Sequence, residues 1–375
     1  MNKTDLTKKF LEIFGESGEV HYFHAPGRVN IIGEHTDYNG GYVLPCAINM
    51  GTTALLRRRD DDLMRFASCN FDLAVDTRDT AYDKAHDWAN YPKGMVHLMH
   101  QKGYDIGGFE VLFYGDLPNG AGLSSSASIE IVTGMALNEL FDCRIKPVDM
   151  ALLAQRCENE YIGVNCGIMD QFVIAVGKKN EAVFLNCGTL DYRAVPLNLG
   201  EYRIVIMNTN KRRALADSKY NERRGECEAA VAALRGGIDI RNLTDVSFVD
   251  FEAHAHLIKD EATRRRARHV ITENRRVVDA ADAIATGDLH ELGRLMTASH
   301  ESLKDDYEVT GVELDTIVEE ALKIPDTLGA RMTGAGFGGC AIALVRADGA
   351  DDFVAEVKRG YMSKIGYAPA FYVAL

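Results

Sequence analysis

Apolar and polar positions change period along this chain. Residues 5–14 place Leu6, Phe10, Leu11 and Phe14 on one face at helical spacing, which predicts a short amphipathic helix. Alternating or compact apolar runs at His21–Ala25, Val43–Ile48, Thr52–Arg59, Leu63–Ala67 and Phe109–Tyr114 predict strands, Thr52–Arg59 and Leu63–Ala67 as a pair. The helical period returns after residue 128 with Ile129, Val132, Met135, Ala136 and Leu140, and a further helix is expected over Lys146–Val164. Strands are expected at Ala182–Leu185, Tyr202–Asn208 and Cys340–Val345, with helices over Asp217–Ala233 and most of Ala262–Leu322. Strands and helices alternate without a regular βαβ rhythm, which points to an α+β fold. The composition shifts near residue 200, so two domains are expected, 1–200 and 201–375.

Charge narrows the partners. With 42 Lys and Arg against 55 Asp and Glu, the chain carries a net charge of −13, which disfavours nucleic acid and anionic membrane surfaces as partners. The Arg57–Arg59 run meets Asp60–Asp62 and cancels, so a solvated turn is expected there; Arg264, Arg265, Arg266 and Arg268 read as a solvated, ion-paired helix face. The 8 cysteines form no CxxC pair and no zinc-finger spacing, and read as thiols of a reducing compartment. No signal-like or membrane-length apolar run is found, so a cytoplasmic protein is expected.

Four stretches carry candidate chemistry. Gly120-Ala-Gly-Leu-Ser-Ser-Ser126 lies between a strand and a helix, where glycines admit an anion and the helix start offers N–H groups. It is not a Walker A loop, and a plain serine cap would account for part of it. Gly334-Ala-Gly-Phe-Gly-Gly339 matches GxGxxG, but a strand follows where a dinucleotide site needs a helix, so a tight packed turn weighs equally. Arg28–Gly41 crowds Glu34, His35 and Asp37 into a loop with apolar flanks; such carboxylates suit sugar hydroxyls, or a metal. Gly167-Ile-Met-Asp-Gln171 places Asp170 after a glycine, near Glu158 and Glu160.

In this order, the four stretches resemble the GHMP kinases (galacto-, homoserine, mevalonate and phosphomevalonate kinases), and within them the galactose-phosphorylating branch. APGRVNIIGEHTDYNGGYVLP (25–45) is similar to that branch's signature, LPNGAGLSSSAS (117–128) to the family's phosphate loop and MTGAGFGGC (332–340) to its third motif. ENEYIGVNCGIMDQF (158–172) and MTASHESLKDDYEVTGVELD (296–315) are similar as well. The resemblance implies a two-domain α+β kinase with its site in the cleft between domains. It would phosphorylate the anomeric C1 hydroxyl of α-D-galactose with ATP and Mg2+, the first committed step of galactose catabolism.

By the same carry-over, Gly120, Ala121, Gly122, Leu123, Ser124, Ser125 and Ser126 would wrap the phosphates, and Ser68 would be a further nucleotide contact. Ser126 and Glu158 would hold magnesium. Glu34, His35, Thr36, Asp37, Gly167 and Tyr220 would bind galactose, Asp170 would take the proton, and Arg28 would stabilise the transferring phosphoryl group. A monomer or weak oligomer is expected. Two alternatives stand beside this: a kinase for a related sugar such as N-acetylgalactosamine, and a non-catalytic sugar and ATP sensor, which the intact serine loop disfavours.

Overall fold

The computed structural model describes residues 1–118, 120–211 and 216–374, with the backbone alone for 216–218. Asn119, inside the glycine-serine loop, lies outside the described residues. The chain runs α1 (Lys3–Phe14), β1 (His21–Asn30), β2 (Tyr42–Val43), β3 (Pro45–Arg58), β4 (Met64–Ser68), β5 (Val75–Thr77), α2 (Asn90–Gln101) and β6 (Phe109–Gly115). It continues through α3 (Ser125–Leu140), α4 (Pro147–Arg156), α5 (Met169–Val176), β7 (Glu181–Asn186), β8 (Tyr192–Pro196) and β9 (Tyr202–Asn208). Then come α6 (Ala216–Leu234), α7 (Phe248–His254), α8 (Glu261–Thr286), α9 (Leu289–Asp305), α10 (Gly311–Leu322), β10 (Thr327–Thr333), β11 (Cys340–Arg346), α11 (Ala350–Ile365) and β12 (Ala370–Val373).

Two compact units result, and neither is one continuous stretch. The first comprises residues 1–27, 48–118 and 124–176; the second comprises 28–47, 119–123 and 177–375. A cut at residue 200 therefore falls inside the second unit. The physical reason is that β1 and β3 are long strands that each run through a unit boundary, so composition alone does not mark the division.

In the first unit, β6 pairs antiparallel with β3 (Thr52↔Gly115 to Arg58↔Phe109) and parallel with β4 (Met64↔Phe109 to Ser68↔Phe113). The expected pairing of Thr52–Arg59 with Leu63–Ala67 is thus corrected: β6, whose residues 109–113 are all buried, lies between them. Helix α1 starts at Asn2, whose side chain accepts from Asp5 N, and buries Leu6 and Phe10 one turn apart against Leu55, Ala67 and Leu112. The Arg57 turn is corrected too. Arg57 is buried, paired with Glu110 and donating to the carbonyls of Phe14 and Gly15, so it ties α1 to the sheet. The helix expected over Lys146–Val164 is α4 followed by a π-helical turn, Cys157–Ile162, that carries Glu158.

The second unit holds an antiparallel sheet in the order β10-β11-β9-β12. Its core joins Val205, Met207, Ile271, Tyr307, Met332 and Phe353, among others, with Tyr38 packed against it. The arginine run of α8 is only partly solvated. Arg266 is buried, bonded to Glu226, Glu308 and the Asp306 carbonyl, because α8 packs its middle turns against α6 and α9.

Among the described residues no helix is long and apolar enough to cross a membrane, and all eight cysteines are free thiols.

Candidate active site

The glycine-serine loop folds as it does because three of its residues take left-handed backbone conformations: Gly120 (φ +69), Gly122 (φ +77) and Ser124 (φ +64). For the two glycines this costs little. For Ser124 it is an unusual conformation, and the side chain shows what holds it: Oγ does not cap α3 but donates a short hydrogen bond to Asp170 Oδ2. The plain serine-cap reading is therefore corrected. The first bond of α3 runs from Ser128 N to Ser124 O, so the N–H groups of Ser125, Ser126 and Ala127 stand at the helix start with no partner inside the helix.

Two further carboxylates lie in the same unit. Glu158 is buried, within hydrogen-bond reach of Ser126, and accepts from Gln171 Nε2. Burial raises its carboxyl above the usual range, and the negative charge of Asp170 raises it further. Glu130 lies beside Cys157 and Gln171; burial, then the charge of Glu158, push its carboxyl well above the usual carboxylate range. Neither Glu130 nor Gln171 was singled out by the sequence, although a Glu on the buried face of α3 is a signal. Ser68 ends β4 and accepts from Asn70 N at 3.0 Å. Gly167 is buried just before α5.

In the second unit, the loop from Arg28 to Gly41 is fastened from within and from far along the chain. Arg28 Nη1 donates to Gly122 O at 2.7 Å and Arg28 N to Leu123 O at 3.2 Å, which sets the guanidinium against the glycine-serine loop. Glu34 is saturated: Oε2 accepts from Asn30 Nδ2 (2.9 Å), and Oε1 from Gly334 N (2.7 Å) and Arg331 Nη1 (3.3 Å). Thr36 Oγ1 lies 2.9 and 2.7 Å from the carbonyls of Gly33 and Tyr42, closing the loop on itself. Asp37 begins a single 3-10 turn and stays half-buried. The Tyr220 ring, from α6, packs on His35 and Tyr38 with centroids 5.7 and 5.3 Å apart.

Helix α8 supplies fastenings that the sequence reading leaves out. His269 reaches Glu34 O (3.1 Å), Glu273 Oε1 accepts from Gly33 N (2.9 Å), and Asn274 Oδ1 accepts from Tyr42 N (2.7 Å). His269 and Glu273 are one turn apart, buried among Ala267, Val270, Ile271 and Val277. Polar side chains on the apolar face of a helix are the signal that would have found them.

The GxGxxG stretch is a hairpin turn between β10 and β11, closing the pair Thr333↔Cys340. Gly334, Gly336, Phe337, Gly338 and Gly339 all have positive φ. At Gly336 a Cβ would stand 2.3 Å from Val309 O, whose carbonyl accepts from Phe337 N. The turn holds Glu34 through Gly334 N and His35 through Ala335 O, so the tight-turn reading and the site reading both apply.

The chain matches three family models: the galactokinase galactose-binding signature over residues 8–58, the GHMP kinase N-terminal domain over 90–178 and the GHMP kinase C-terminal domain over 280–362. It is 51% identical over 379 residues to the galactokinase of Streptococcus thermophilus (100% of this chain, 97% of the relative). It is 52% identical over 374 residues to that of Enterococcus faecalis (98% and 96%). The crystal structure of Lactococcus lactis galactokinase complexed with galactose superposes with a TM-score of 0.96 at 49% identity, covering 99% of this chain and 97% of that one. Methanococcus jannaschii mevalonate kinase, at 20% identity and TM-score 0.68 over 96% and 98% of the two chains, shares the fold.

Proposed function

The chain belongs to the galactokinases of the GHMP kinase family, and from that premise we propose how its residues move a phosphoryl group from ATP to galactose. The acceptor is the anomeric C1 hydroxyl. Asp170 takes or orients its proton, and Ser124, donating to Oδ2, aims the carboxylate. The N–H groups at the start of α3, with the backbone of residues 120–126, cradle the phosphates; Arg28 compensates charge on the transferring group. Ser68 is a further nucleotide contact. The observation that carries this reading is the bond from Ser124 to Asp170, which ties the acceptor-activating carboxylate to the phosphate loop.

Ser126 and Glu158 fit magnesium, since a hydroxyl and a desolvated carboxylate in mutual contact are hard oxygen donors. The ion supplies charge neutralisation of the phosphates when bound. Because Glu158 brings a charge and Ser126 does not, Glu158→Gln should raise the magnesium concentration for half-maximal activity by roughly 10-fold or more, and Ser126→Ala by less. Identical magnesium titrations for wild type and both variants remove the pair from the metal site.

By the resemblance we assign Glu34, His35, Thr36, Asp37, Gly167 and Tyr220 to galactose binding. Of these Asp37 is a half-buried carboxylate at the start of the 3-10 turn within the loop that the resemblance gives to the sugar. Asp37→Ala should therefore lower kcat/KM for galactose by about 10- to 150-fold and narrow its lead over glucose, with KM for ATP little changed. A weakened ATP KM with intact galactose preference would place Asp37 on the nucleotide side. The activity itself is tested by ADP release against a panel of sugars. Turnover with galactose is expected; galactose and ATP binding without turnover would make the chain a sensor, and a preference for N-acetylgalactosamine would move the substrate.

A further inference from the structure

His35 is buried, has a left-handed backbone (φ +62) and spends both ring nitrogens inside the protein. Its Nε2 lies 3.2 Å from the Ala335 carbonyl. A carbonyl only accepts, so Nε2 carries the proton. Burial first, and then the neighbouring His269, pull the imidazole down to about 3, which leaves the ring neutral and Nδ1 an acceptor. The Tyr38 hydroxyl, 2.8 Å away, must donate to it.

The remaining directions follow one by one, because each group has a single proton. With its own proton spent on His35, Tyr38 accepts from the Tyr307 hydroxyl at 2.7 Å. With that proton spent, Tyr307 accepts from the Cys227 thiol at 3.1 Å. One chain thus runs Cys227, Tyr307, Tyr38, His35, Ala335 O, from α6 through the sugar loop to the glycine-rich hairpin turn. The His35 ring also stacks obliquely on Tyr307, with centroids 4.8 Å apart.

The geometry points to Tyr38 and Tyr307 as positioning residues for galactose recognition: their hydroxyls lock His35 onto Ala335, so that its ring braces the sugar loop and offers no nitrogen to the sugar. This rests on the galactokinase reading and revises one part of it, since the resemblance puts His35 among the galactose ligands. The electrostatic cost of breaking the chain is an unpaired, buried imidazole nitrogen next to the residues that meet the sugar.

The test is calorimetric galactose binding together with steady-state kinetics on Tyr38→Phe, Tyr307→Phe and Cys227→Ser in the full chain. Tyr38→Phe should raise the galactose Kd and KM roughly 5- to 150-fold, with the ATP KM and kcat within about twofold. Tyr307→Phe, which leaves the His35–Tyr38 bond in place, should have a smaller effect of the same kind. Cys227→Ser keeps a donor and should match wild type. In 15N-histidine spectra His35 should keep its Nε2–H in every variant, because the Ala335 carbonyl still accepts it, whereas the Nδ1 signal should shift in Tyr38→Phe, where its donor is gone, and stay put in Cys227→Ser.

An unchanged galactose Kd in folded Tyr38→Phe overturns the inference, as does an equal rise in the galactose and ATP KM values. Should Tyr38→Phe not fold, Tyr307→Phe decides by the same comparison. Wild-type protein that binds galactose but releases no ADP refutes the catalytic reading alone, because the calorimetric series still tests the chain of bonds.

Discussion

Asp170→Asn should retain galactose and ATP binding while kcat falls by at least about 100-fold. Asparagine keeps the shape, and its carbonyl oxygen still accepts from Ser124, so the left-handed Ser124 and the start of α3 stay in place. What disappears is the negative charge that, in the proposed mechanism, receives the proton from the sugar hydroxyl. Steady-state kinetics with calorimetry separate the two effects: the substrate KM and Kd values should stay within a few-fold while the maximal rate collapses. A near-wild-type kcat would show that Asp170 orients the hydroxyl without accepting its proton, as a loose transition state permits.

The largest loss of stability should follow Arg331→Met. Arg331 is fully buried, and its guanidinium donates to the Asn30 and Ile31 carbonyls, to Glu34 and to Ser299. A second carboxylate, Glu273, stands 3.9 Å from Nη2. Burial would raise the Glu273 carboxyl, but Arg276, His269 and Arg331 outweigh that and hold it at about 2. Methionine fills the space and leaves two buried carboxylates short of a cation, at a cost of about 3–5 kcal/mol in urea unfolding at neutral pH. The deficit has a sign in pH as well. Wild type gains from the depressed Glu273 above a pH of about 4.5 and loses that gain as pH falls toward 2. In the variant the Glu273 carboxyl is depressed less, so the gain should be smaller and its loss complete at a higher pH. A change below about 1 kcal/mol would mean that Arg276 alone neutralises the site.

Much of this was legible beforehand, for identifiable reasons. Helix α1, strands β6, β9 and β11 and the long C-terminal helices have clean periods, because each has one buried face or two. The fused length of β3 was not legible, since Gly51 and the exposed Asn49 interrupt the apolar pattern between Val43–Ile48 and Thr52–Arg59 while the strand continues through them. Arg57 and Arg266 read as solvent-facing because a sequence shows charge but not the carboxylate that meets it, Glu110 or Glu308. At the site, the motifs marked the loops, and their internal hydrogen bonding stayed hidden. Ser124 looks like a cap and donates to Asp170 instead; His35 meets the Ala335 carbonyl of the hairpin turn. The residues that fasten the sugar loop, His269, Glu273, Asn274 and Arg331, lie in stretches with no motif of their own or beside one read for its glycines.

The distances along the chain of those fastenings bear on how the protein is made. Gly33, Glu34 and Tyr42 are held by residues 240, 235 and 232 positions further on, and Glu34 meets Arg331 and Gly334 across separations of 297 and 300. During synthesis the sugar loop leaves the ribosome well before the residues that fasten it. At about 5–20 residues per second, that interval lasts roughly 15 seconds to a minute. Until α8 and β10 have been made, the loop lacks the side chains and backbone groups that hold it in the folded chain. These late contacts close very large loops, at an entropic cost that grows only slowly with their length.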